Sequence, residues 1–233
     1  MPRIARVVLP GLPHLIVQRG NNRADVFFSP EDREVYLYLV KSYSEKWCAP
    51  VICYCLMTTH AHLLVTPSSE VSLQKMMQGI TLCYTQHINR KYGRTGRLWE
   101  SRYQSCIVEQ RSYLWVVARY VEQNPVRAML AKAPADYPYS SASAHLNSLP
   151  DPVLGASLYP EGAQNDYSEF MRHDTLEQEE IIIRKSLKTG RPLGTDKFVR
   201  EMEIRLNKKL TVLPTGRPRK NIETKGTSDK SST

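Results

Sequence analysis

Pro50-Val51-Ile52-Cys53-Tyr54-Cys55-Leu56-Met57-Thr58-Thr59-His60-Ala61-His62-Leu63-Leu64-Val65-Thr66 is the stretch whose reading decides the fold. Residues 50–57 carry apolar side chains in succession, the pattern of a strand covered on both faces at the centre of a sheet. Two threonines leave room only for a tight turn, so residues 60–66 return as the second strand of a hairpin. Successive side chains on a strand point to opposite faces. His60 and His62 therefore project together from one side, while Ala61, Leu63 and Val65 face the other, where a core can cover them. Two imidazoles this close on a rigid strand make half of a divalent-metal site. The same spacing also arises as a chance pair on a half-buried strand, and the triplet alone does not separate the two.

Working outward from the hairpin, His14–Arg19 is rich in β-branched residues and ends at a Gly20-Asn21-Asn22 turn, so it reads as a strand. Ser29-Pro30-Glu31-Asp32 opens a helix that runs to about Trp47. Ser68 or Ser69 is expected to cap a second helix, with Leu73, Met76, Met77, Ile80 and Tyr84 spaced as a core stripe. Gln104–Gln110 reads as a further strand. Residues 112–124 then form a helix, with Ser112 as its cap and Pro125 marking its end. The order β-α-β-β-α-β-α is that of an α+β, ferredoxin-like split-βαβ antiparallel sheet with an added helix. Two helices cover one face and leave the other partly free for the last helix to cross.

That last helix carries Tyr120 and Asn124, which share a face at a spacing of four. Tyrosine is a nucleophile when its surroundings lower its pKa from about 10. An amide carbonyl oxygen is a hard ligand suited to Mg²⁺ or Mn²⁺. A buried tyrosine beside a helix-ending asparagine fits the same residues.

Net charge is +9, from 32 Lys and Arg against 23 Asp and Glu, which suggests a polyanionic partner. Residues 1–150 hold 17 basic against 10 acidic side chains, and residues 151–233 hold 15 against 13, so most of the surplus sits in the first part. Between residues 90 and 119, Arg90, Lys91, Arg94, Arg97, Arg102, Arg111 and Arg119 outweigh Glu100 and Glu109. Tyr92, Trp99 and Tyr103 lie among them as candidates to stack on unpaired bases. Five cysteines without a Cys-x-x-Cys pair argue against a disulfide framework and against a zinc knuckle. No apolar stretch is long enough for a signal peptide or membrane span, so a cytoplasmic, nucleoid-associated protein with no membrane partner is expected. The chain has no Walker-type phosphate loop, and no nucleotide cofactor is expected.

Past Pro134 the prolines and tyrosines suggest a wrapping, irregular segment. Helices are expected over Thr175–Lys188, with Leu176, Ile181, Ile183 and Leu187 apolar and Gly190 as the stop, and over Thr195–Leu210. The chain thus divides into a first region, 1–150, and a helical C-terminal extension, 151–233. Thr189-Gly190-Arg191-Pro192 recurs as Thr215-Gly216-Arg217-Pro218, followed by Arg219-Lys220. Such a basic Gly-Arg-Pro element can lay arginine into an A·T minor groove, or it can serve as a flexible basic linker.

Four motifs together resemble the REP-associated tyrosine transposases, a branch of the single-tyrosine HUH nuclease and transposase superfamily (IS200-like). They are His14-Leu15-Ile16-Val17-Gln18-Arg19-Gly20-Asn21-Asn22-Arg23, Tyr54-Cys55-Leu56-Met57-Thr58-Thr59-His60-Ala61-His62-Leu63-Leu64, Gly96-Arg97-Leu98-Trp99-Glu100-Ser101-Arg102-Tyr103, and Arg119-Tyr120-Val121-Glu122-Gln123-Asn124-Pro125-Val126-Arg127-Ala128. The resemblance spans about 14–144. It departs at Thr58-Thr59, where the family has Pro-Asn, which changes the turn but not the histidines.

The resemblance implies a metal-dependent endonuclease and transposase that cuts and rejoins single-stranded DNA beside REP-type hairpins. Tyr120 is then the nucleophile, forming a 5′-phosphotyrosine, and His60, His62 and Asn124 hold Mg²⁺ or Mn²⁺. Arg19, Asn21 and Arg23 are expected to contact the hairpin DNA, with Arg97, Trp99, Arg102 and Tyr103 as a second patch and Arg217 and Arg219 in the tail. A monomer or a homodimer fits equally. Two other readings compete: a hairpin DNA- or RNA-binding regulator without catalysis, and a hydrolase in which water replaces Tyr120.

Overall fold

The computed structural model describes residues 7–209. Its strands are β1 (His14–Arg19), β2 (Val51–Met57), β3 (His60–Val65) and β4 (Gln104–Ile107), and its helices begin with α1 (Pro30–Lys46), α2 (Ser72–Lys91), α3 (Gln110–Glu122) and the single turn α4 (Asn124–Arg127). Beyond these lie α5 (Ala142–Asn147), α6 (Gln164–Met171), α7 (Glu177–Thr189) and α8 (Asp196–Leu206). The sheet order is β2-β3-β1-β4, with every neighbouring pair antiparallel. This is the ferredoxin-like α+β arrangement that the element order predicts.

Strand alternation divides the interior in two. Ile16, Tyr54, Leu56, Ala61, Leu63 and Val65 face α1 and α2, joining Tyr36, Val40, Met76, Ile80 and Tyr84. Leu15, Val17, Cys53, Cys55, Leu64 and Cys106 face the opposite way, against Val117, Ala118 and Val121 of α3. Each fully buried aliphatic side chain in these layers contributes roughly 1.5–3 kcal/mol. The second face is not left partly free: besides α3, Tyr167 and Met171 of α6 and Ile183 and Leu187 of α7 join its core. Residues beyond 150 thus pack on the same sheet. The irregular segment after Pro134 shields the outer edge of β2. There Leu56 N–H donates to the Tyr139 carbonyl at 2.9 Å and Tyr137 Oη donates to the Leu56 carbonyl at 2.7 Å.

Several local expectations are corrected. Ser29 and Asp32 do form a capping box on α1, with Pro30 in the first turn. Ser68 and Ser69 do not cap α2, which starts at Ser72: the Ser72 hydroxyl binds both serines within the preceding turn. The fourth strand stops at Ile107, since Glu109 N–H is taken by the Leu193 carbonyl and α3 begins at Gln110 without a Ser112 cap. Pro125 does not end the helical path, because a proline lacks only the N–H and is tolerated in the first turn of α4. Leu176 and Ile181 are 63% and 57% exposed, so only Ile183 and Leu187 give α7 its buried stripe. Thr195 caps α8 by accepting from Phe198 N–H, and Leu210 lies outside the described residues.

Candidate active site

Register places the two histidines. His62 pairs with Val17 on β1 and Cys55 on β2, and His60 pairs with Arg19 and Met57. Directly paired residues share a face, so His62 stands between two apolar neighbours under α3, and His60 sits one step nearer the open end. His62 is 2% exposed, and both its ring nitrogens are buried without a hydrogen-bond partner. The two imidazole centroids are 4.9 Å apart, and the Tyr120 ring of α3 meets His62 edge to face at 5.7 Å. The strand pair and the helix residue, separated by some sixty positions, do come together.

Burial pushes the His60 imidazole down to about 4 and that of His62 well below its ordinary value. Arg19 and Arg184 act on both in the same direction, and Arg127 adds to the effect at His62. Both rings are neutral near pH 7, the state in which a nitrogen lone pair can bind a cation. Thr59 adds an orienting contact, its hydroxyl lying 2.9 Å from His60 Nδ1. If Nδ1 carries the proton and donates to that hydroxyl, Nε2 is left as the donor atom. The threonine that departs from the family motif thus acts directly on the first histidine.

The fit to a divalent cation rests on these atoms. Two imidazoles at adjacent positions of an octahedral ion, with bonds of ~2.1 Å, have centroids roughly 4.6 Å apart. The observed spacing is close to this, and the unpartnered nitrogens of His62 are what such a site requires. Among the described residues no group of three His, Cys, Asp or Glu could hold a metal, so a third ligand from these residues would be of another kind, such as an amide oxygen. Asn124 qualifies: its amide nitrogen donates to the Tyr120 and Val121 carbonyls at 2.9 and 3.2 Å, leaving the side-chain oxygen unclaimed.

Tyr120 is 5% exposed. The Arg127 guanidinium lies 4.8 Å from its ring centroid, and Arg127 Nη2 donates to its carbonyl at 2.7 Å. Arg127 follows Tyr120 by seven residues, the helical spacing that returns to the same face. That interval was visible in the sequence, although the arginine was not singled out. Arg184 and Glu180 on α7, an ion pair beside the site, had no such signal.

A second cluster sits behind Tyr120. The Glu122 carboxylate is fully buried and accepts from Ser141 Oγ and His145 Nδ1, both at 2.6 Å, and from Tyr167 Oη at 2.9 Å. Ser141 and His145 are four residues apart on one helical turn, but nothing in the sequence points them at a glutamate about twenty positions earlier.

The expected DNA contacts divide. Arg19, Asn21 and Arg23 are exposed together at the end of β1, where Asn22 and Arg23 adopt positive φ in a tight turn. Arg97 and Arg102 are also exposed, and Arg19 and Arg102 line one small polar cleft with Glu100 and Gln104. Trp99 and Tyr103 are not available for stacking, because they are 5% and 8% exposed and belong to the core under α1 and α2. Trp99 packs against Tyr36 and Tyr84, with centroids 6.1 and 5.9 Å away. Arg119 faces inward too, pairing with Glu179 at 2.8 Å and lying 4.0 Å from the Phe170 ring centroid. Arg217 and Arg219 lie outside the described residues. The first copy of the repeat is no loose linker: Gly190 ends α7 at φ 72°, and Leu193 then bridges to Val108 beside β4.

A model of the IS200-like transposase family matches residues 12–124, the span that holds all four strands, both histidines, Tyr120 and Asn124. Through that stretch the chain is similar to the IS200-like transposases. Its fold is similar to that of a REP-associated tyrosine transposase solved with a REP hairpin, at a TM-score of 0.55 and 13% identity, covering 70% of this chain and 96% of that one. At that identity the likeness is one of fold. A Deinococcus radiodurans protein provisionally classed as a transposase aligns at a TM-score of 0.35 and 14% identity, over 55% of this chain and 92% of that one. A bacterial tRNA(His) guanylyltransferase-like protein in complex with GTP aligns at 0.38 and 15%, over 57% and 72%. No curated protein sequence matches the chain. Among the described residues, no helix is long and apolar enough to cross a membrane.

Proposed function

We propose that this protein cuts and rejoins single-stranded DNA beside a hairpin through a covalent link to Tyr120, as a REP-associated member of its family. One observation carries the reading: a neutral histidine pair on β3, with both ring nitrogens of His62 unpartnered, and a tyrosine on α3 converge within ring-contact distance. The charge around them suits a phosphodiester. Arg19, Arg127 and Arg184 bear on the histidines.

His60, His62 and Asn124 would hold one Mg²⁺ or Mn²⁺. That cation, when bound, draws charge from the scissile phosphate and offsets what builds up in the transition state. The chain's own residues position and attack. Tyr120 Oη bonds to phosphorus, the bond from phosphorus to the 3′ oxygen breaks, and the phenolic proton passes through solvent to that oxygen. The phosphotyrosine keeps the bond energy of the phosphodiester, so resealing by a 3′ hydroxyl needs no nucleotide. The exposed Arg19, Asn21, Arg23, Arg97 and Arg102 supply contacts for the hairpin and its flank. Because Tyr120 is nearly covered, the incoming phosphate approaches past its solvent-exposed neighbour Arg127.

The test is incubation of the full chain with labelled hairpin oligonucleotides and Mn²⁺, resolved on a denaturing gel. The expected product is a protein–DNA band with a free 3′ hydroxyl, lost in Tyr120→Phe while hairpin binding persists. Free 5′-phosphate ends without that band would assign the attack to water, and binding without any cleavage would leave a regulator. Cleavage by Tyr120→Phe at the native rate would sink the mechanism.

A further inference from the structure

Arg127 is the feature of the site that the family pattern and the metal leave unexplained. Its guanidinium is fixed at two points, the Tyr120 carbonyl at 2.7 Å and Thr175 Oγ1 at 3.2 Å, while lying over the Tyr120 ring. The side chain nonetheless has a solvent-exposed surface. No carboxylate is in ion-pair contact with it among the described residues. The acidic group that bears on it, Glu180, is engaged by Arg184. A cation held rigid beside the nucleophile, open to solvent and not neutralised by the protein, has a fork of donors left for an anion.

We propose that Arg127 receives the non-bridging oxygens of the scissile phosphate on the Tyr120 side of the site. This rests on the strand-cleaving reading and adds to it a residue in direct contact with the reacting group. As Tyr120 Oη closes on phosphorus and the bond to the 3′ oxygen breaks, negative charge gathers on the non-bridging oxygens. The Arg127 N–H groups are already in place to take it, so little reorganisation is needed at the moment of reaction. Lysine, a point charge on a flexible stem, replaces the fork only in part.

The competing role is structural. An arginine near a helix C-terminus often does no more than satisfy the last carbonyls, and Arg127 does bind one. Substrate charge separates the two roles. Adduct formation is measured for wild type, Arg127→Ala and Arg127→Lys on a hairpin oligonucleotide with either a normal phosphate or a neutral methylphosphonate at the scissile position. On the phosphate, Arg127→Ala is expected to slow adduct formation on the order of 100-fold, with Arg127→Lys in between. On the methylphosphonate, which lacks the charge to be received, the penalty of Arg127→Ala should nearly vanish. Thermal melting of each variant checks the fold, and Arg127→Gln carries the same comparison should Arg127→Ala not fold. An equal penalty on both substrates would make Arg127 a helix cap and overturn the proposal, as would no penalty on either. If wild type itself forms no adduct on either substrate, the strand-cleaving reading fails first and the inference falls with it.

Discussion

Removing the Glu122 carboxylate should loosen the helix that presents Tyr120. Glu122 sits two residues past Tyr120 and binds three donors from the later chain, Ser141, His145 and Tyr167, at 2.6, 2.6 and 2.9 Å. Hydrogen bonds to a charged group contribute about 1.5–3 kcal/mol each, and a buried donor left without its acceptor costs about 1–3 kcal/mol. The three are not additive, because Ser141 Oγ has a second acceptor in the Tyr54 carbonyl at 3.3 Å. Tyr167 is fully buried and His145 nearly so, so water cannot easily replace the lost oxygen. Breaking a buried charged network by deleting one member typically costs about 3–5 kcal/mol, and that range is expected for Glu122→Ala. In a chain of this size it corresponds to a melting-point drop of roughly 6–20 °C. Glu122→Gln keeps one acceptor oxygen and should fall between. Calorimetric melting, with a Glu122/His145 double-mutant cycle, reads both the total and the coupling. A loss below about 1 kcal/mol for Glu122→Ala, or no coupling to His145, would refute the idea that this cage fastens α3 to the later segment.

Two further outcomes follow from the histidines. Thr59→Val removes the oxygen partner of His60 Nδ1 while preserving shape, and should weaken Mn²⁺ binding by about 10- to 100-fold in titration calorimetry; unchanged affinity would mean that Thr59 orients nothing. His14 is fully buried, its Nδ1 donating to the Leu12 carbonyl at 2.8 Å and its Nε2 accepting from Leu9 N–H at 3.3 Å, and burial lowers its pKa to about 4. The unfolded chain therefore binds a proton that the fold refuses between pH ~6.5 and ~4, so stability is lost as pH falls through that window. Between pH 7 and 5 this one histidine accounts for about 2 kcal/mol of the loss. Urea midpoints should fall less steeply with acid in His14→Gln, and identical slopes would exclude His14 as a source.

How much of this was legible in the sequence depends on the range of each contact. The hairpin was readable because one side-chain period, apolar on both faces and then alternating, dictates both strand character and which way His60 and His62 point. The helix start at Ser29-Pro30 and the stop at Gly190 are equally local, and both are where the sequence places them. Trp99 and Tyr103 misled because aromatic residues among arginines look alike whether they stack on bases or fill a core. Only the tertiary position of the 96–103 segment, pinned by Asn21 N–H to the Leu98 carbonyl and Glu100 N–H to the Arg19 carbonyl, turns them inward. Covering of the second face by α6 and α7 was invisible for the same reason. Ile183 and Leu187 show helical spacing, but nothing in that spacing names the sheet as their partner.

The later chain has a consequence for how the site is held. A histidine pair on a central strand is rigid on its own, since β3 is hydrogen-bonded on both sides. A tyrosine on a single helix is not, and its distance from the histidines is set by whatever fixes that helix. Here three independent ties do so: the apolar contacts of Val117 and Val121 with the sheet, the Glu122 cage from residues 141–167, and the Arg119–Glu179 pair to α7. Two of the three originate beyond residues 12–124, the span that matches the transposase model. Residues 12–124 thus supply the proposed reacting groups, while the later segment supplies much of the restraint on their separation. A displacement of even an ångström at a nucleophile can cost about two orders of magnitude in rate, so under the proposed mechanism the packing of α6 and α7 belongs to the chemistry as much as the motif residues do.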